Sequence, residues 1–292
     1  MATAAEWIEG ARPRTLPAAL APVLAGSAIA WFERSFSPLL AALALVVALA
    51  LQVGVNFAND YSDGIRGTDA ARVGPLRLVG SGLVEPRRVR SAAFGCFALS
   101  ALAGLAVVLV TGHWWLLGVG AAAIAAAWYY TGGRRPYGYL GLGELFVFLF
   151  FGLVAVTGTV YIQVGRIPAA TWWTAIAIGA LACAILVANN LRDLDGDRAA
   201  GKRTLATRLG DAGTRRFFLG LLALAGVGVI GVAATSSWWA LLGLIMAVLL
   251  AGPVREVVRG VTGRELIPVL KNTGLAELAC AAGLFVGLLI AR

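Results

Sequence analysis

The 292-residue chain predicts an all-α fold, a polytopic membrane bundle of about nine transmembrane helices, and three observations carry that prediction. Hydrophobic residues make up 60% of the chain and charged residues 13%, with a mean hydropathy of +0.83. A soluble domain is roughly half apolar and about a quarter charged. The apolar residues collect in runs long enough to cross a bilayer as helices, which takes roughly 17 to 25 residues. The basic residues gather in alternate gaps between those runs.

The runs place helices at 15–32, 38–59, 91–112, 114–131, 140–162, 170–191, 214–234, 237–254 and 273–291. Before the first, "MATAAEWIEGARPRTLP" carries Glu6 and Glu9 ahead of any apolar stretch and has no small-residue cleavage site, so it does not read as a signal peptide. Trp7 with Arg12 and Arg14 reads as an interfacial lead-in. The second run ends in the polar stretch "NFANDYSDGIRGTD". The pairs Trp114/Trp115, Trp172/Trp173 and Trp238/Trp239 open the fourth, sixth and eighth helices as an aromatic belt on the side away from the cytoplasm. The fifth run begins near Glu144, an ionisable group in an apolar setting and therefore a functional candidate. The sixth ends in a second polar stretch, "NNLRDLDGDRAAGKRT". In the seventh, Gly226, Gly228 and Gly231 are expected to allow close helix packing, and Glu277, with Lys271 and Asn272, brings a polar contact into the ninth. No linker or low-complexity segment divides the chain, so residues 1–292 read as one domain.

Placing the N-terminus in the cytoplasm puts 21 of the 24 Lys and Arg residues in cytoplasmic segments and leaves Arg34, Arg166 and Arg292 on the other side. This satisfies the positive-inside rule. The net charge of +9 is thereby a topology signal, and nucleic-acid binding drops out because no soluble basic domain exists to perform it. The single histidine, His113, removes Ser/His/Asp catalysis and the usual zinc sites. Cys96, Cys183 and Cys280 sit singly inside apolar runs and read as small packing residues.

Both polar stretches lie at cytoplasmic helix ends, and together they hold six of the fifteen carboxylates: Asp60, Asp63, Asp69, Asp193, Asp195 and Asp197. Each stretch contains Asn-x-x-x-Asp, as Asn56/Asp60 and Asn189/Asp193. Residues i and i+4 share a helix face, so Asn189, Asp193 and Asp197 form one ladder if the last turn persists. Like charges gathered this way repel. Hard oxygen donors without imidazole or thiolate suit Mg²⁺, which uses few carboxylates and completes its shell with water and phosphate oxygens. Arg66, Arg72 and Arg77 after the first cluster, and Lys202 and Arg203 after the second, offer donors to an anion bridged by that metal. A diphosphate fits, and a site opening onto an apolar bundle suits one with a long hydrocarbon tail, a polyprenyl diphosphate. Solvated helix ends whose aspartates cap the next element would explain one such cluster but not a same-side pair.

On these residues the chain resembles the UbiA superfamily of intramembrane prenyltransferases. The phrases "NDYSDGIRGTD", "LVGSGLVEP", "YTGGRRPYGYLGLGELFVFLFFG" and "NNLRDLDGDRAAGKRTLATRLG" place it near the menaquinone branch. The resemblance implies a UbiA-type fold with Asp-rich motifs at the ends of the second and sixth helices. Asn56, Asp60, Asp63, Asn189, Asp193 and Asp197 stand at those places as metal-site residues, with Asp60, Asp63, Asp193 and Asp197 catalytic. In the first motif Gly64 occupies the i+4 position from Asp60, so Asp63 and Asp69 remain alternatives for completing the set.

The implied reaction moves a polyprenyl group from its diphosphate to 1,4-dihydroxy-2-naphthoate, releasing diphosphate and CO₂ and giving demethylmenaquinone, with Mg²⁺ as cofactor. The implied location is the cell membrane, with the site on the cytoplasmic side. Arg134, Arg135 and Lys271 are candidates to hold the acceptor carboxylate, and Tyr139 and Glu144 are candidates for substrate contact. A transporter is the rival class, but its charges would cluster near the midplane on broken helices. A CDP-alcohol phosphotransferase would need an Asp-Gly-x-x-Ala-Arg run, where this chain has "DGIRGT". Homogentisate and 4-hydroxybenzoate are the alternative acceptors within the superfamily.

Overall fold

The computed structural model describes residues 2–67 and 76–292; Asp69 and Arg72 lie outside the described residues. Among the described residues the regular structure is helical throughout. The elements are α1 (Ala4–Gly10), α2 (Pro17–Phe32), α3 (Pro38–Arg66), α4 (Pro86–Thr111), α5 (Leu116–Tyr129), α6 (Gly143–Val164), α7 (Ala169–Arg192), α8 (Leu194–Ala199), α9 (Leu205–Thr235), α10 (Trp238–Arg259) and α11 (Gly263–Ile290). Seven of these, α3, α4, α6, α7, α9, α10 and α11, are long and apolar enough to cross a bilayer. The segment through α1 and α2, bent by 50°, makes an eighth if it is one span. The fourth expected helix contracts to the 14 residues of α5, short of the length a straight crossing needs. The count of about nine is therefore approximate, while the order of helices follows the apolar runs.

Local signals set the helix ends. Ser37 caps α3 by accepting from the Leu40 N–H, with Pro38 in the first turn, and Gly67 closes it in the left-handed region at φ 71°. Thr204 caps α9 in the same manner through the Thr207 N–H. Helix α9 is broken near its start at Gly210, whose φ of 69° and ψ of 180° are not helical.

Helix α7 is the buried centre, packed by α2, α6, α9 and α11. Its inward face is mostly small: Ala175, Ala177, Ala180, Ala184 and Ala188 are buried around Ile178 and Leu181. In a bilayer, lipid tails compete for apolar contact, so helices associate through close packing of such faces. At Gly152 of α6 an added Cβ would lie 2.7 Å from Gly179 Cα and 2.8 Å from the Ala175 carbonyl oxygen, so backbone touches backbone there. The hydrogen bonding of α6 widens to π-helical across Phe148–Val154 at this contact. Of the glycines singled out in the sequence, Gly228 meets Ala177 and Gly231 meets Trp173, whereas Gly226 has open space beside it.

A second apolar cluster joins α3, α4 and the α1 region around Phe57, Leu78, Val89 and Phe97. Trp7 meets Phe57 edge-on at 5.6 Å. The outer faces expose Leu102, Leu109, Ile230 and Val248, as lipid-facing surfaces require. The chain is a multi-pass membrane protein.

Candidate active site

A cavity of about 640 Å³ opens among α2, α3, α4, α5, α6 and α7. One end is polar, lined by Asn56, Asp63, Asn189, Asp193, Asp197 and Lys202. The other is a wall of Ala, Val, Leu and Ile side chains with Phe146, Phe150 and Phe151. The ends of α3 and α7 both line the polar end, so the two polar stretches, far apart in sequence, share one space.

Along α3 the polar residues divide their work. Asn56 Nδ2 donates to the Ala11 carbonyl oxygen at 2.9 Å and to Thr15 Oγ1 at 3.0 Å, and Gln52 also donates to Thr15. These bonds fasten α3 to the elbow between α1 and α2, where Arg12 adopts a left-handed φ of 57°, a conformation that costs a non-glycine residue some strain. Asn59 accepts from Thr131 at 2.7 Å. Asp60 is 1% exposed, and its carboxylate accepts from the N–H groups of Leu78 at 2.7 Å and Val79 at 3.1 Å. It thereby caps the returning loop, and it is not among the residues lining the cavity. Asp63, one turn on, lines the cavity. It pairs with Arg77 at 3.5 Å and accepts a short hydrogen bond from the Tyr139 hydroxyl.

At the second cluster the expected ladder is present in modified form. Helix α7 ends at Arg192, and Asp193, at φ −93° and ψ 7°, leaves the helical region before α8 begins. The Asp193 N–H still reaches the Asn189 carbonyl oxygen at 3.1 Å and the Asp197 N–H reaches that of Asp193 at 2.8 Å. All three side chains therefore line the cavity. Arg192 donates to both Asp193 carboxylate oxygens at 2.7 Å and to Asn189 Oδ1 at 2.9 Å. Lys202 lies 3.8 Å from Asp197 and 4.7 Å from the centre of the Tyr139 ring. Arg203, itself exposed, donates its backbone N–H to the Tyr139 carbonyl oxygen at 3.1 Å. Tyr139 thus touches residues of both clusters.

The remaining candidates separate cleanly. Glu144 is buried behind the cavity wall, with one carboxylate oxygen accepting from Asn190 Nδ2 at 2.9 Å and the other without a partner. Asn190 itself lines the cavity. Arg66 turns outward to the carbonyls of Thr131 and Gly133. Arg134, Arg135 and Lys271 are exposed and are not among the lining residues. Arg12 and Arg14 line the cavity instead; sequence reasoning read both as topology signals. It also missed Asn59 and Asn190, although each stands beside a motif residue, and Arg192. Tyr137 stacks on Phe146 at 4.1 Å. Burial pushes its phenol pKa up, so it stays protonated and donates to the Ala126 carbonyl oxygen at 2.8 Å.

Among the described residues no three carboxylate, thiol or imidazole groups stand together as a ready-made metal cage. Each cavity-lining acid is met by a cation: Asp63 by Arg77, Asp193 by Arg192, Asp197 by Lys202. A donor set of this kind, a few oxygens opposed by positive side chains, fits a metal carried with an anion.

The sequence model of the UbiA prenyltransferase family matches residues 19–267. The chain belongs to the UbiA prenyltransferase family. Within the family it is similar to the 1,4-dihydroxy-2-naphthoate octaprenyltransferase of Mycobacterium tuberculosis, 56% identical over 284 residues, 96% of each chain. Among solved UbiA structures it is similar to the apo homolog from Aeropyrum pernix K1, with a TM-score of 0.72 at 18% identity over 96% of this chain and 98% of that one. It is also similar to a homolog from Archaeoglobus fulgidus bound to DMAPP and Mg²⁺, with a TM-score of 0.63 at 16% identity over 98% of each chain. At those identities the two structures establish the UbiA fold and nothing finer.

Proposed function

We propose that this UbiA-family enzyme transfers a polyprenyl group from a polyprenyl diphosphate to 1,4-dihydroxy-2-naphthoate, with loss of diphosphate and CO₂, to give the quinol form of demethylmenaquinone. The observation that carries the reading is the cavity itself, with oxygen donors and cations at one end and an apolar channel continuing from them. The acceptor follows from the 56% identity to the mycobacterial enzyme.

Asp63, Asp193 and Asp197, with the amide oxygens of Asn56 and Asn189, would hold Mg²⁺; that Asp63 lines the cavity supports its choice from the first motif. When bound, the metal supplies charge neutralisation for the departing diphosphate. Arg77 and Lys202 stand beside these acids and donate to the same anion. The apolar wall takes the hydrocarbon tail and keeps water from the allylic carbon as its C–O bond breaks. Tyr137 and Phe146 offer a stacked aromatic face along the cavity, and Arg12 or Arg14 holds the acceptor carboxylate.

The carboxyl-bearing ring carbon forms the new C–C bond as diphosphate leaves. Breaking the bond to CO₂ then returns an electron pair to the ring, so no ring proton has to be removed and no histidine base is needed. The polar end faces the cytoplasm of the cell membrane, in line with the distribution of basic residues. Carboxyl-labelled acceptor tests the reading: label should appear as CO₂ in equal amount to diphosphate, and EDTA should abolish the release until Mg²⁺ is restored. Label retained in the prenylated product, or a clear preference for 4-hydroxybenzoate or homogentisate, refutes the acceptor.

A further inference from the structure

We propose that Arg192 is a positioning residue that presets the second aspartate cluster, locking Asn189 and Asp193 in the orientation in which they meet a divalent cation. This rests on the reading of Asp193 as a metal ligand.

The guanidinium side chain is 4% exposed and its Asp193 partner 9%, so the pair lies almost wholly out of water. Nε and Nη2 reach the two carboxylate oxygens in parallel at 2.7 Å, and Nη2 also reaches Asn189 Oδ1 at 2.9 Å. Neighbouring residues on a regular helix point apart. The contact exists because α7 stops at Arg192 and Asp193 turns out of the helical region, while Asn189 lies one turn back on the arginine's own face. Asn189 and Asp193 line the cavity, whereas Arg192 is not among the lining residues, so the fork grips both from behind.

Each carboxylate oxygen offers two lone-pair directions. The fork engages one on each, which fixes the plane of the Asp193 carboxylate. Without it, the Asp193 carboxylate loses its bidentate hold and the Asn189 amide regains rotamer freedom that metal binding would have to remove. Lysine keeps the charge but not the planar fork, so Arg192→Lys isolates the positioning effect.

Mn²⁺ titrated into detergent-purified protein and followed by electron paramagnetic resonance provides the test without turnover. Arg192→Lys should bind Mn²⁺ about ten- to a hundredfold more weakly, the usual cost of losing a group that orients a metal ligand. Its turnover should recover toward the parent value at high Mg²⁺, which a general loss of structure would not allow. Arg192→Gln, with one amide donor, should behave similarly and serves if the lysine variant does not fold. Asp193→Asn is the control. If it weakens Mn²⁺ binding while both Arg192 variants bind normally, the positioning role is refuted and the metal site stands. If Asp193→Asn binds Mn²⁺ as the parent does, the ligand assignment fails and the proposal fails with it.

Discussion

Asp60 and Asp63 stand three residues apart in one motif yet do different things. Asp60 satisfies two buried backbone N–H groups of the returning loop, so Asp60→Asn presents an amide donor to one of them. Thermal unfolding in EDTA should show a loss on the order of 2 kcal/mol, the cost of an unsatisfied buried donor, with Mn²⁺ affinity close to the parent's. Asp63→Asn also removes the charge that faces buried Arg77 and costs some stability, but its distinguishing effect should be weaker Mn²⁺ binding and turnover lowered by about two orders of magnitude as leaving-group stabilisation is lost. A shared phenotype for the two variants would refute the division. Glu144 acts through Asn190: Glu144→Leu strips the partner from a cavity-lining amide, and the acceptor KM should rise by roughly tenfold, about 1.4 kcal/mol. Glu144→Gln can still accept from Asn190 and should be milder. The motif composition made the polar end of the cavity legible from sequence. It did not reveal that Asp60 faces the loop, because the direction of a side chain depends on where residues 76–79 return, and that is a tertiary fact.

At the scale of elements, helices extend past the apolar runs that predicted them. The second run ends at residue 59, but α3 continues to Arg66 because the polar motif residues remain helical. Helix α4 likewise starts at Pro86, in charged sequence ahead of the apolar run. The widening of α6 was not legible at all, since it accompanies a contact with Gly179 on a different helix. That contact gives a sharp comparison. Gly152→Ala must push α6 from α7 and should destabilise by roughly 1–3 kcal/mol, the range for overpacking. Gly158→Ala, with nothing within 4 Å of the new methyl, should be near neutral or slightly stabilising. Detergent thermal shifts measure both, and equal stabilities would refute the tight seam.

Across the whole molecule, the cavity depends on segments distant in sequence converging on one side, so orientation can be tested independently of chemistry. Single cysteines at 132–139, 192–213 and 255–272, in a background lacking Cys96, Cys183 and Cys280, should resist an impermeant thiol reagent in intact cells and react after permeabilisation. Cysteines beside Arg34 and Arg166 should react from outside. Labelling of the 192–213 segment in intact cells would overturn the proposed orientation. The elbow at Arg12 carries a different consequence, for the order of assembly. The α1 segment is synthesised before α3, yet Asn56, which fastens the elbow, follows Ala11 by 45 residues, and Leu78, which packs on Gly10, comes later still. Nascent α1 therefore has no native partner when it leaves the ribosome and waits at the interface until α3 and the following loop arrive. The strained backbone at Arg12 is then among the last features to settle, and a substitution at Asn56 should be felt first as slow or incomplete biogenesis.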